Sequence, residues 1–595
     1  MRLVVPYSSE LNTADAQLVC LAKRLGGQCE LLRVEKGVTL SPEFIEKHVG
    51  DKNSCFVVNP AAIRQCLSSE FFPADLASYL TSRFSLLLVH NLSLDPFATS
   101  TMSTLSGGTL DSLRPVKRSG LRYEISAHKQ VCGVFAGLTF GPVNETNDRV
   151  FTGNLDAVAV RTHIAIDGQP FFASISHERA EVFFLASASM ADLGANIDEK
   201  VLTEYFSQLV PPSMFIRYAF REEGWLSDQH HATFIIDDPL LRKDYGFLNY
   251  ERLLGLMDEY NFHTSIAFIP HNRRRNSLDI TRMFRERPDR FSICFHGNDH
   301  MAAEFASKDS SLLNGMLTVA EERMDEHQKK TGIQCDKVMV FPQENFSPEA
   351  MEVLKAHNFS AAVNSGPYPL GDRTGLCLSD ILEPAMLKYG GFPLFLRRYV
   401  REIALQDVAF NLFFGKPVLI VEHHDIFKDP ECLTQLVSRI NTLAPEIRWS
   451  NLRTAIENSY LRRWTPEGTL QVRAYSHAGK IENASETILP CSIEWPGHSE
   501  IPVERVLFDG VPWADTQTDH KGMQLSFYLP PRGSREFSVV YRNDFALTDA
   551  NRRVQWKAKA FVRRRLSEIR DNHLSKSPHL LSLAKALLKT FAQAQ

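Results

Sequence analysis

The order of apolar and polar positions divides the chain into stretches of different character. Over the first two hundred residues, short apolar runs alternate with amphipathic stretches such as Thr13–Leu25, which predicts a helix. The runs that predict strands are Leu3–Val5, Cys29–Val34, Cys55–Asn59 and Ser85–His90. Strand–helix alternation is typical of a parallel α/β layer. We therefore expect an N-terminal α/β domain over residues 1–215, closed by a helix over Asp192–Leu209.

A second alternation of strands and helices occupies about residues 225–464. Its apolar runs are Ala232–Ile236, His263–Ile269, Phe291–Phe295, Lys337–Phe341, Ala361–Asn364 and Val418–Glu422. Amphipathic stretches of helical period separate these runs. Six strand–helix repeats within so short a segment favour an incomplete (β/α) barrel over an open sheet.

Past Trp464 the pattern changes to short alternating segments punctuated by Gly and Pro. Over residues 465–545 this pattern predicts a small β-sandwich. In residues 546–595, apolar positions recur every three or four residues among many basic ones, which predicts two amphipathic helices separated near Pro578. The expected fold class is therefore α/β, with a barrel-like second domain, a C-terminal β-sandwich and a basic helical tail.

Composition excludes several classes of protein. Of 595 residues, 44% are hydrophobic and 23% are charged, which excludes a collagen, a coiled-coil rod and a chain disordered throughout. The formal net charge of −4 offers no general field for polyanions, so we expect no nucleic-acid partner. Ten cysteines without a CxxC pair predict reduced thiols. Together with the lack of a signal peptide or of eighteen consecutive apolar residues, they predict a cytoplasmic protein.

The tail differs from the rest of the chain in charge. Residues 551–595 contain eleven basic residues and two acidic ones, beside an apolar stripe that includes Trp556, Phe561, Leu566 and Ile569. A helix of this kind can lie on an anionic membrane leaflet, which predicts peripheral contact with the inner membrane face. It can equally pack on the acidic body of the protein itself. The sequence leaves both interpretations open.

Titratable residues follow two strands of the second segment. Asp237 and Asp238 come directly after an apolar run, and Pro239 prevents the strand from continuing. The next motif ends a strand with His296 and His300, whose four-residue spacing aims both imidazoles at one point. Two imidazoles and one carboxylate form a metal site with open coordination positions, which suits Zn²⁺, Fe²⁺, Co²⁺ or Mn²⁺.

A third element, Val418–Glu422, again ends in titratable residues, His423, His424 and Asp425. An adjacent Asp pair is by itself more often a turn or a helix cap, and a lone HxxxH is more often a surface or core pair. Three such elements at strand ends in one α/β segment favour a functional site, because barrel sites are built at the carboxyl ends of strands.

These motifs, taken in order, resemble those of the polysaccharide deacetylase (NodB-homology) family, metal-dependent carbohydrate de-N-acetylases with a distorted (β/α) barrel. The resemblance covers about residues 230–460. Phe234–Pro239 is similar to the first motif of the family, and His296–His300 is similar to the second. His424 and Asp425, after an apolar strand, resemble the final motif.

The resemblance implies a role for each of these residues. The implied roles are Asp237 as general base, Asp238, His296 and His300 as metal ligands, and His424 as general acid. His423 is expected to point to the opposite face of its strand and to be structural. The implied cofactor is one divalent metal ion, with Zn²⁺ first and Co, Ni, Mn or Fe as alternatives.

The chain departs from the family pattern at two positions. Pro239 stands where the first motif normally ends in Gly, and Val340–Asn345 lacks the Arg–Pro pair of the third motif. The arginine of that pair usually orients the catalytic Asp, so another residue is needed beside Asp237. The candidates in the sequence are Gln343, Glu344, Arg273, Arg274 and Arg275.

The function implied is removal of acetyl groups from an N-acetylated sugar or a glycolipid intermediate of polysaccharide or cell-envelope synthesis, with an O-acetyl group as a further possibility. A different class is a catalytically decayed barrel that serves as a carbohydrate-binding or scaffolding protein. A third interpretation takes the triad as a non-haem iron oxygenase site, but such sites usually lie on double-stranded β-helices, and the α/β alternation argues against it. Metal content measured together with acetate release separates the first two.

Overall fold

The computed structural model describes residues 1–50, 53–116, 120–143, 147–155, 159–196, 204–497, 500–513, 517–519, 522–546, 554–574 and 576. The chain forms two compact units. The first comprises Met1–Leu226, Cys377–Ser379 and Arg462–Leu470, and the second comprises Ser227–Leu376, Asp380–Leu461 and Gln471–Gln595. The four-part division predicted from the sequence is finer than these two units and stays a prediction.

The first unit is built on a nine-stranded sheet. The strands of the unit, two of which lie outside this sheet, are β1 (Arg2–Tyr7), β2 (Gln28–Arg33), β3 (Ser54–Val58), β4 (Leu86–Val89), β5 (Leu110–Pro115), β6 (Leu121–Ile125), β7 (Thr139–Val143), β8 (Arg149–Gly153), β9 (Val160–Ile166), β10 (Gln169–Ser176) and β11 (Glu181–Leu185). The sheet order is β2-β1-β3-β4-β11-β10-β9-β6-β7, and β5 pairs with β8 separately. Strands β1 to β4 and β11 run parallel, whereas β10, β9, β6 and β7 continue the sheet antiparallel.

Helices lie between and after the strands of this unit along the chain. They are α1 (Thr13–Arg24), α2 (Pro42–His48), α3 (Pro60–Gln65), α4 (Ala74–Arg83), α5 (Pro96–Leu105), α6 (Lys129–Cys132) and α7 (Phe206–Phe220). Of the helix predicted over Asp192–Leu209, residues 192–196 are not helical and residues 197–203 lie outside the described residues. Helix α7 begins at Phe206 and continues through Pro211 and Pro212. Burial of the apolar side chains of α7 offsets the cost of the backbone hydrogen bonds that the two prolines cannot donate.

The second unit contains a parallel sheet and a small hairpin. Its strands are β12 (His231–Asp237), β13 (Asp244–Tyr245), β14 (Leu248–Asn249), β15 (Thr264–Phe268), β16 (Phe291–Phe295), β17 (Cys335–Val340), β18 (Ala361–Asn364), β19 (Leu394–Leu396), β20 (Arg398–Tyr399), β21 (Val418–Glu422) and β22 (Arg448–Trp449). The helices are α8 (Tyr250–Tyr260), α9 (Leu278–Glu286), α10 (Ser310–Thr331), α11 (Pro348–Ala356), α12 (Leu405–Phe413), α13 (Glu431–Leu443) and α14 (Leu452–Glu457). A further short helix, Leu378–Leu382, follows α11 in the chain. The predicted α/β fold class is confirmed.

The order of strands in this parallel sheet brings its two ends together. The order is β19-β18-β17-β16-β15-β12-β21-β20, with β22 also paired to β12. Strands β19 and β20 lie at opposite ends of this order, yet only Arg397 separates them in the chain. The sheet therefore curves until its ends meet at Arg397. The six apolar runs predicted as strands all belong to it, whereas β19, β20 and β22 are too short to give an alternating pattern.

The last strands of the chain form two sheets. They are β23 (Leu470–Arg473), β24 (Ala478–Glu482), β25 (Leu489–Trp495), β26 (Val503–Phe508), β27 (Val511–Pro512), β28 (Gln517–Asp519), β29 (Gly522–Leu529) and β30 (Ser534–Tyr541). In the first sheet, which has six strands, β23, β25, β29 and β28 are neighbours in that order, and the second sheet has the order β24-β30-β26-β27. Trp495 contacts Phe537, and Phe508 contacts Phe527, so aromatic side chains join the facing sheets.

A final helix, α15 (Val554–Ile569), follows these strands and is continued by a π-helical turn over Arg570–Leu574. The second basic helix predicted beyond Pro578 lies outside the described residues. Among the helices described, none is both long enough and apolar enough to cross a membrane.

Candidate metal centre

One pocket of about 320 Å³ opens among the carboxyl ends of β12, β16, β17 and β21 in the second unit. Asp237 and Asp238 enter it from the end of β12, and His296 and His300 enter it from the loop after β16. Parallel strands present their carboxyl ends at the same edge, so residues far apart in sequence meet there. The structure thus brings together the four residues for which the sequence predicts a base and three metal ligands.

Asp238, His296 and His300 form the cluster with metal-binding geometry. Their candidate ligand atoms all lie within 4.8 Å of one another, and no other such cluster occurs among the residues that the structure describes. The Nε2 atoms of His296 and His300 lie 3.4 and 3.1 Å from Oδ1 of Asp238. That oxygen is buried and accepts no hydrogen bond. A buried, unpaired carboxylate oxygen is costly, and a cation between it and the two imidazoles would remove that cost.

Hydrogen bonds hold the histidines of this cluster in place. Nδ1 of His296 lies 2.9 Å from the carbonyl oxygen of Val340. Because a carbonyl only accepts, Nδ1 carries the proton and Nε2 is left free to bind a metal. The buried carboxylate of Glu304 accepts four backbone N–H groups of the loop over residues 298–301, including that of His300 at 3.1 Å. These four hydrogen bonds to Glu304 therefore fix the conformation of the loop that carries His300.

The backbone of the cluster adopts conformations that sequence patterns do not signal. Asp238 and His300 have φ values of 77° and 55°, in the left-handed region that few non-glycine residues occupy. Gly297, also left-handed, lies where an added Cβ would be 2.1 Å from Glu304 Oε1. Strained positions of this kind cluster at functional sites, where the surrounding structure holds them.

The cluster shifts the proton affinity of its members in opposite directions. Burial would raise the pKa of Asp238, but His300 and His296 outweigh it and hold this pKa well below its usual range. Burial lowers the pKa of His300 to about 4, so this imidazole is neutral at neutral pH, as a ligand must be. Burial also disfavours the charged form of His296, but Asp237 and Asp238 more than compensate and raise its pKa.

Asp237 is oriented by an arginine that the sequence did not predict. Arg397 donates from Nη1 and Nη2 to the two carboxylate oxygens of Asp237, at 2.7 Å each. Both residues are buried, with 1% and 3% of their surfaces exposed. Burial would raise the pKa of Asp237, but the Arg397 guanidinium and nearby histidines leave it below its ordinary value. Asp237 is therefore ionised at neutral pH.

The candidates for this orienting role are therefore wrong. Arg273 and Arg274 pair with Glu326, and Arg275 pairs with Glu568. Glu344 lines the pocket and accepts a hydrogen bond from Tyr399 at 3.0 Å. Gln343 also lines the pocket, but Arg397 already holds both oxygens of Asp237.

The two histidines after β21 lie in different surroundings. Ile236 and Glu422 are partners in the register of β12 and β21, so the next residues, Asp237 and His423, end neighbouring strands on the same face. His423 lines the pocket and stacks against Tyr399. The expectation that it faces away from the site is wrong.

His424, the predicted general acid, is not among the residues that line the pocket. It is buried against the rings of Tyr245 and Phe247. Gly246 lies between those two residues, where an added Cβ would be 2.2 Å from His424 Nδ1. Nε2 of His424 lies 3.6 Å from Oδ1 of Asp571, a residue of the turn after α15.

The polar side of α15 and the turn that follows it closes one side of this pocket. Arg563, Arg564, Ser567 and Arg570 line the pocket together with the metal cluster. Oδ2 of Asp571 accepts a hydrogen bond from Tyr245 Oη at 2.7 Å. Two further contacts of this region are Asn572 Oδ1 with the Gly246 N–H at 2.7 Å and Glu568 with Arg242 at 3.2 Å. The helix and its turn therefore pack on the segment around Arg242–Gly246 of the same unit through polar side chains.

The apolar stripe of α15 has a different position. Phe561, Leu566 and Ile569 expose 54%, 61% and 49% of their surfaces. The interpretation in which these three side chains pack on the body of the protein is therefore wrong. The side chain of Trp556 lies outside the described part of the chain. Membrane contact through this tail stays a prediction.

No protein-family model and no curated protein matches the sequence. The solved structures that match the chain include a carbohydrate deacetylase and carbohydrate esterases. The crystal structure of Agd3, described as a novel carbohydrate deacetylase, has 8% sequence identity and a TM-score of 0.49, and the match covers 91% of this chain and 98% of that one. A family 4 carbohydrate esterase from Streptomyces lividans in complex with acetate has 9% identity and a TM-score of 0.23, over 37% and 91% of the two chains.

A CE4 family pseudoenzyme from Bacillus anthracis has 10% identity and a TM-score of 0.24, over 38% of this chain and 66% of that one. The similar structures therefore include an esterase with acetate and a pseudoenzyme.

Proposed function

We propose that this chain is a metal-dependent carbohydrate deacetylase whose second unit is a distorted (β/α) barrel. The observation that carries the proposal is the meeting of Asp238, His296 and His300 around a buried carboxylate oxygen that accepts no hydrogen bond. Asp237 lies directly beside this cluster and is ionised. A metal ligand set next to an ionised carboxylate in a pocket is the arrangement that hydrolysis of an amide or ester requires.

The residues present fit a divalent cation. Two imidazoles and one carboxylate suit Zn²⁺ first, with Co, Ni, Mn and Fe as alternatives. A cation held there supplies Lewis-acid polarisation of a carbonyl group and makes a nearby water more acidic. Asp238, His296 and His300 are the residues that would hold it.

The side chains of the pocket account for the proton transfers of hydrolysis. Asp237 accepts a proton from the attacking water, whose oxygen forms a bond to the carbonyl carbon of the acetyl group. Arg397 keeps the carboxylate of Asp237 fixed, and the carboxylate retains lone pairs beyond those that face the guanidinium. The carbon–nitrogen bond breaks as the amine receives a proton, and acetate and the free amine leave.

His423 is the residue that we assign as donor of this second proton. It lines the pocket at the end of the strand beside Asp237. His424 does not line the pocket and instead packs against the rings of Tyr245 and Phe247. A general acid must reach the leaving group in the substrate complex. His423 meets this requirement from the pocket, and we assign His424 to support of the turn that carries Asp571.

The proposed substrate is an N-acetylated sugar or glycolipid of polysaccharide or cell-envelope synthesis, deacetylated in the cytoplasm. The alternative, a decayed deacetylase that only binds carbohydrate, was motivated by the missing motif arginine. Because Arg397 holds Asp237 with two hydrogen bonds of 2.7 Å, that motivation is weakened. The hydrolase is therefore the better-supported function.

Acetate release tests the proposal. Purified protein loaded with Zn²⁺ is incubated with N-acetylated oligosaccharides, and acetate is measured by a coupled assay. The wild type should release acetate, and Asp237→Asn should lose at least about a hundredfold in rate while its metal content remains, because it removes the base and no ligand. Asp75→Asn, an exposed site in the first turn of α4, is the matched control. Undiminished activity of Asp237→Asn would contradict the mechanism.

The assignment of the acid is tested separately. His423→Ala should lower kcat strongly and remove part of the pH dependence of kcat, because the leaving amine loses its proton donor. His424→Ala should lower activity less and chiefly through stability, because it opens a buried space beside Tyr245. The reverse order of effects on kcat would restore His424 to the role that the sequence predicts.

A further inference from the structure

The wall of the pocket formed by α15 and the turn after it is cationic. Arg563, Arg564 and Arg570 all line the pocket, and Ser567 adds a hydroxyl between them. These positions follow the three- and four-residue spacing that places side chains on one helical face. Three guanidinium groups therefore face the same cavity as the metal cluster.

The arginines of this wall are incompletely paired. Arg564 is 7% exposed, and its Nε is buried without a hydrogen-bond partner. Its Nη2 lies 3.3 Å from Nδ1 of His300. A ligand bond from Nε2 of His300 would leave Nδ1 protonated, so Arg564 would lose that acceptor. For Arg563, no hydrogen bond or ion pair is formed with a described residue, and burial together with Arg564 lowers its pKa.

The carboxylates around the pocket do not neutralise this wall. Asp237 is paired with Arg397, and Glu344 accepts from Tyr399. Asp571 pairs with Arg570 at 2.6 Å, and its other oxygen accepts from a tyrosine. Asp238 is the carboxylate of the metal cluster. Arg563 and Arg564 therefore form no ion pair with a described carboxylate. A divalent cation held by the cluster would offset the charges of Asp238 and Glu344, so that these two guanidinium charges would remain uncompensated.

We infer that the substrate of this site is an acetylated sugar bearing a phosphate group, which the three arginines of α15 and its turn bind beside the acetyl group. This inference rests on the proposed function and specifies its substrate class. A hydroxyl oxygen of a neutral glycan could accept from the buried Nε of Arg564, but it would give neither the buried Arg564 nor the half-buried Arg563 a counter-ion.

Phosphate fits this wall better than other acidic groups. Guanidinium groups bind phosphate oxygens through paired N–H donors, and a phosphate monoester carries a charge of about −1.5 to −2 at neutral pH. That charge matches the two uncompensated guanidinium groups, whereas a uronate carboxylate matches one. The same phosphate chemistry occurs in a sugar phosphate and in a lipid-linked sugar, and substrate pairs distinguish the two.

The test compares substrates that differ only in charge. Acetate release is measured with N-acetylglucosamine, its 1-phosphate, its 1-phosphate linked to a short polyprenol, and an N-acetylated disaccharide that contains a uronate. We expect kcat/KM for the phosphorylated sugars to exceed that of the neutral sugar by at least tenfold. If the polyprenol-linked sugar is deacetylated faster than the free sugar 1-phosphate, the substrate is the lipid-linked form. Equal kcat/KM for neutral and phosphorylated sugars, or a preference for the uronate, would overturn the inference.

Variants of α15 locate the effect. Arg563→Gln should reduce the ratio of kcat/KM for phosphorylated and neutral sugars at least tenfold, and Arg563→Lys should keep part of it, since a charge remains without the fork. Arg565→Gln removes the same charge from the exposed face of the same helix and is the matched control. A ratio that falls equally in Arg565→Gln would show a general charge effect and contradict the site.

Direct binding separates this inference from the proposed function. The 1-phosphate and neutral sugars are titrated into zinc-loaded Asp237→Asn by calorimetry. Binding of the phosphorylated sugar that Arg563→Gln weakens, without acetate release by the wild type from any substrate, would retain the anion site and refute the hydrolase. Acetate release from neutral sugars without tighter binding of phosphate would retain the hydrolase and refute the anion site.

Discussion

Each unit carries a polar cluster at the carboxyl ends of parallel strands, and the two clusters differ in how completely their carboxylate oxygens are paired. In the first unit, Asn59 follows β3, His90 follows β4, and Asp15 comes from α1; none of them is more than 1% exposed. Oδ1 of Asp15 lies 2.8 Å from His90 Nε2, and Oδ2 accepts from Asn59 Nδ2 at 3.0 Å. Both oxygens of this carboxylate are satisfied within the protein.

In the second unit, Oδ1 of Asp238 is buried between two imidazoles and accepts no hydrogen bond, and the cluster opens on a pocket. Both clusters use a carboxylate and histidine at the same edge of a sheet. Residue type and topology are therefore insufficient to identify a site. His90 Nδ1 of the first cluster is also buried without a hydrogen-bond partner, so the difference lies in the carboxylate: an unpaired buried carboxylate oxygen beside a pocket favours ligand binding.

The largest expected effect is the loss of the carboxylate from the closed cluster. Asp15→Ala leaves the donors of His90 and Asn59 buried without an acceptor, and should lower the free energy of unfolding by about 3 kcal/mol. Asp238→Ala in metal-free protein should lower it less, because the imidazoles beside Asp238 Oδ1 do not lose a hydrogen-bond acceptor there. Urea denaturation followed by circular dichroism measures both, and equal losses would remove the distinction between the clusters.

Metal should stabilise the protein through the open cluster alone. At a free Zn²⁺ concentration a hundredfold above Kd, the wild type should gain about 2.7 kcal/mol of unfolding free energy. The double variant His296→Ala with His300→Ala should gain nothing, whereas His48→Ala, an exposed histidine of α2, should behave as the wild type. Thermal unfolding with and without Zn²⁺ provides the measurement. Full stabilisation of the double variant would place the metal elsewhere.

The ion pair at Asp237 should determine the acid side of the pH profile. Arg397 holds the pKa of Asp237 low against the effect of burial. In Arg397→Gln this pKa should rise, so the base becomes protonated at a higher pH and the acid limb of kcat/KM should move to higher pH. Arg397→Lys keeps a charge and should shift it less. An acid limb that stays at the same pH in Arg397→Gln would show that another group is the base.

The smallest expected effect is vesicle binding by α15, whose polar face lines the pocket and whose apolar face is exposed. Phe561, Leu566 and Ile569 lie on the exposed face, beside the basic Lys559 and Arg565. If this face touches an anionic leaflet, the protein should sediment weakly with vesicles containing phosphatidylglycerol, and binding should fall with salt. Replacing the three apolar residues by Ser should abolish sedimentation. Salt-insensitive binding, or binding unchanged by the Ser substitutions, would contradict membrane contact through this face.

The parts of the site that the sequence predicts are those carried by short, local motifs. Asp237 and Asp238 follow a strong apolar strand, and the spacing of His296 and His300 points both rings to one place, so their meeting was predictable. Arg397 was missed because it follows a strand of three residues, far from the third motif. The available signal was the apolar run Leu394–Leu396, which two arginines follow. The sequence does not show that the sheet closes at this point and so brings Arg397 to Asp237.

Other features depended on register and tertiary contacts. His423 and His424 differ in position by one residue, and that difference reverses the face of the strand. The register of β21 against β12, set by pairing over distance, decides which of them enters the pocket. The basic charges of the tail predicted a surface for lipid headgroups, whereas Arg563, Arg564 and Arg570 line the pocket. Charge density along a helix does not by itself say which partner neutralises it.

The central claim is that Asp238, His296 and His300 hold one metal ion. Anomalous diffraction at the zinc edge, from crystals grown with Zn²⁺, tests it most directly. The account predicts one strong peak about 2.0–2.2 Å from a carboxylate oxygen of Asp238 and from a ring nitrogen of each histidine. A zinc peak at any other place in the second unit, or no peak at this cluster in crystals saturated with Zn²⁺, would contradict it.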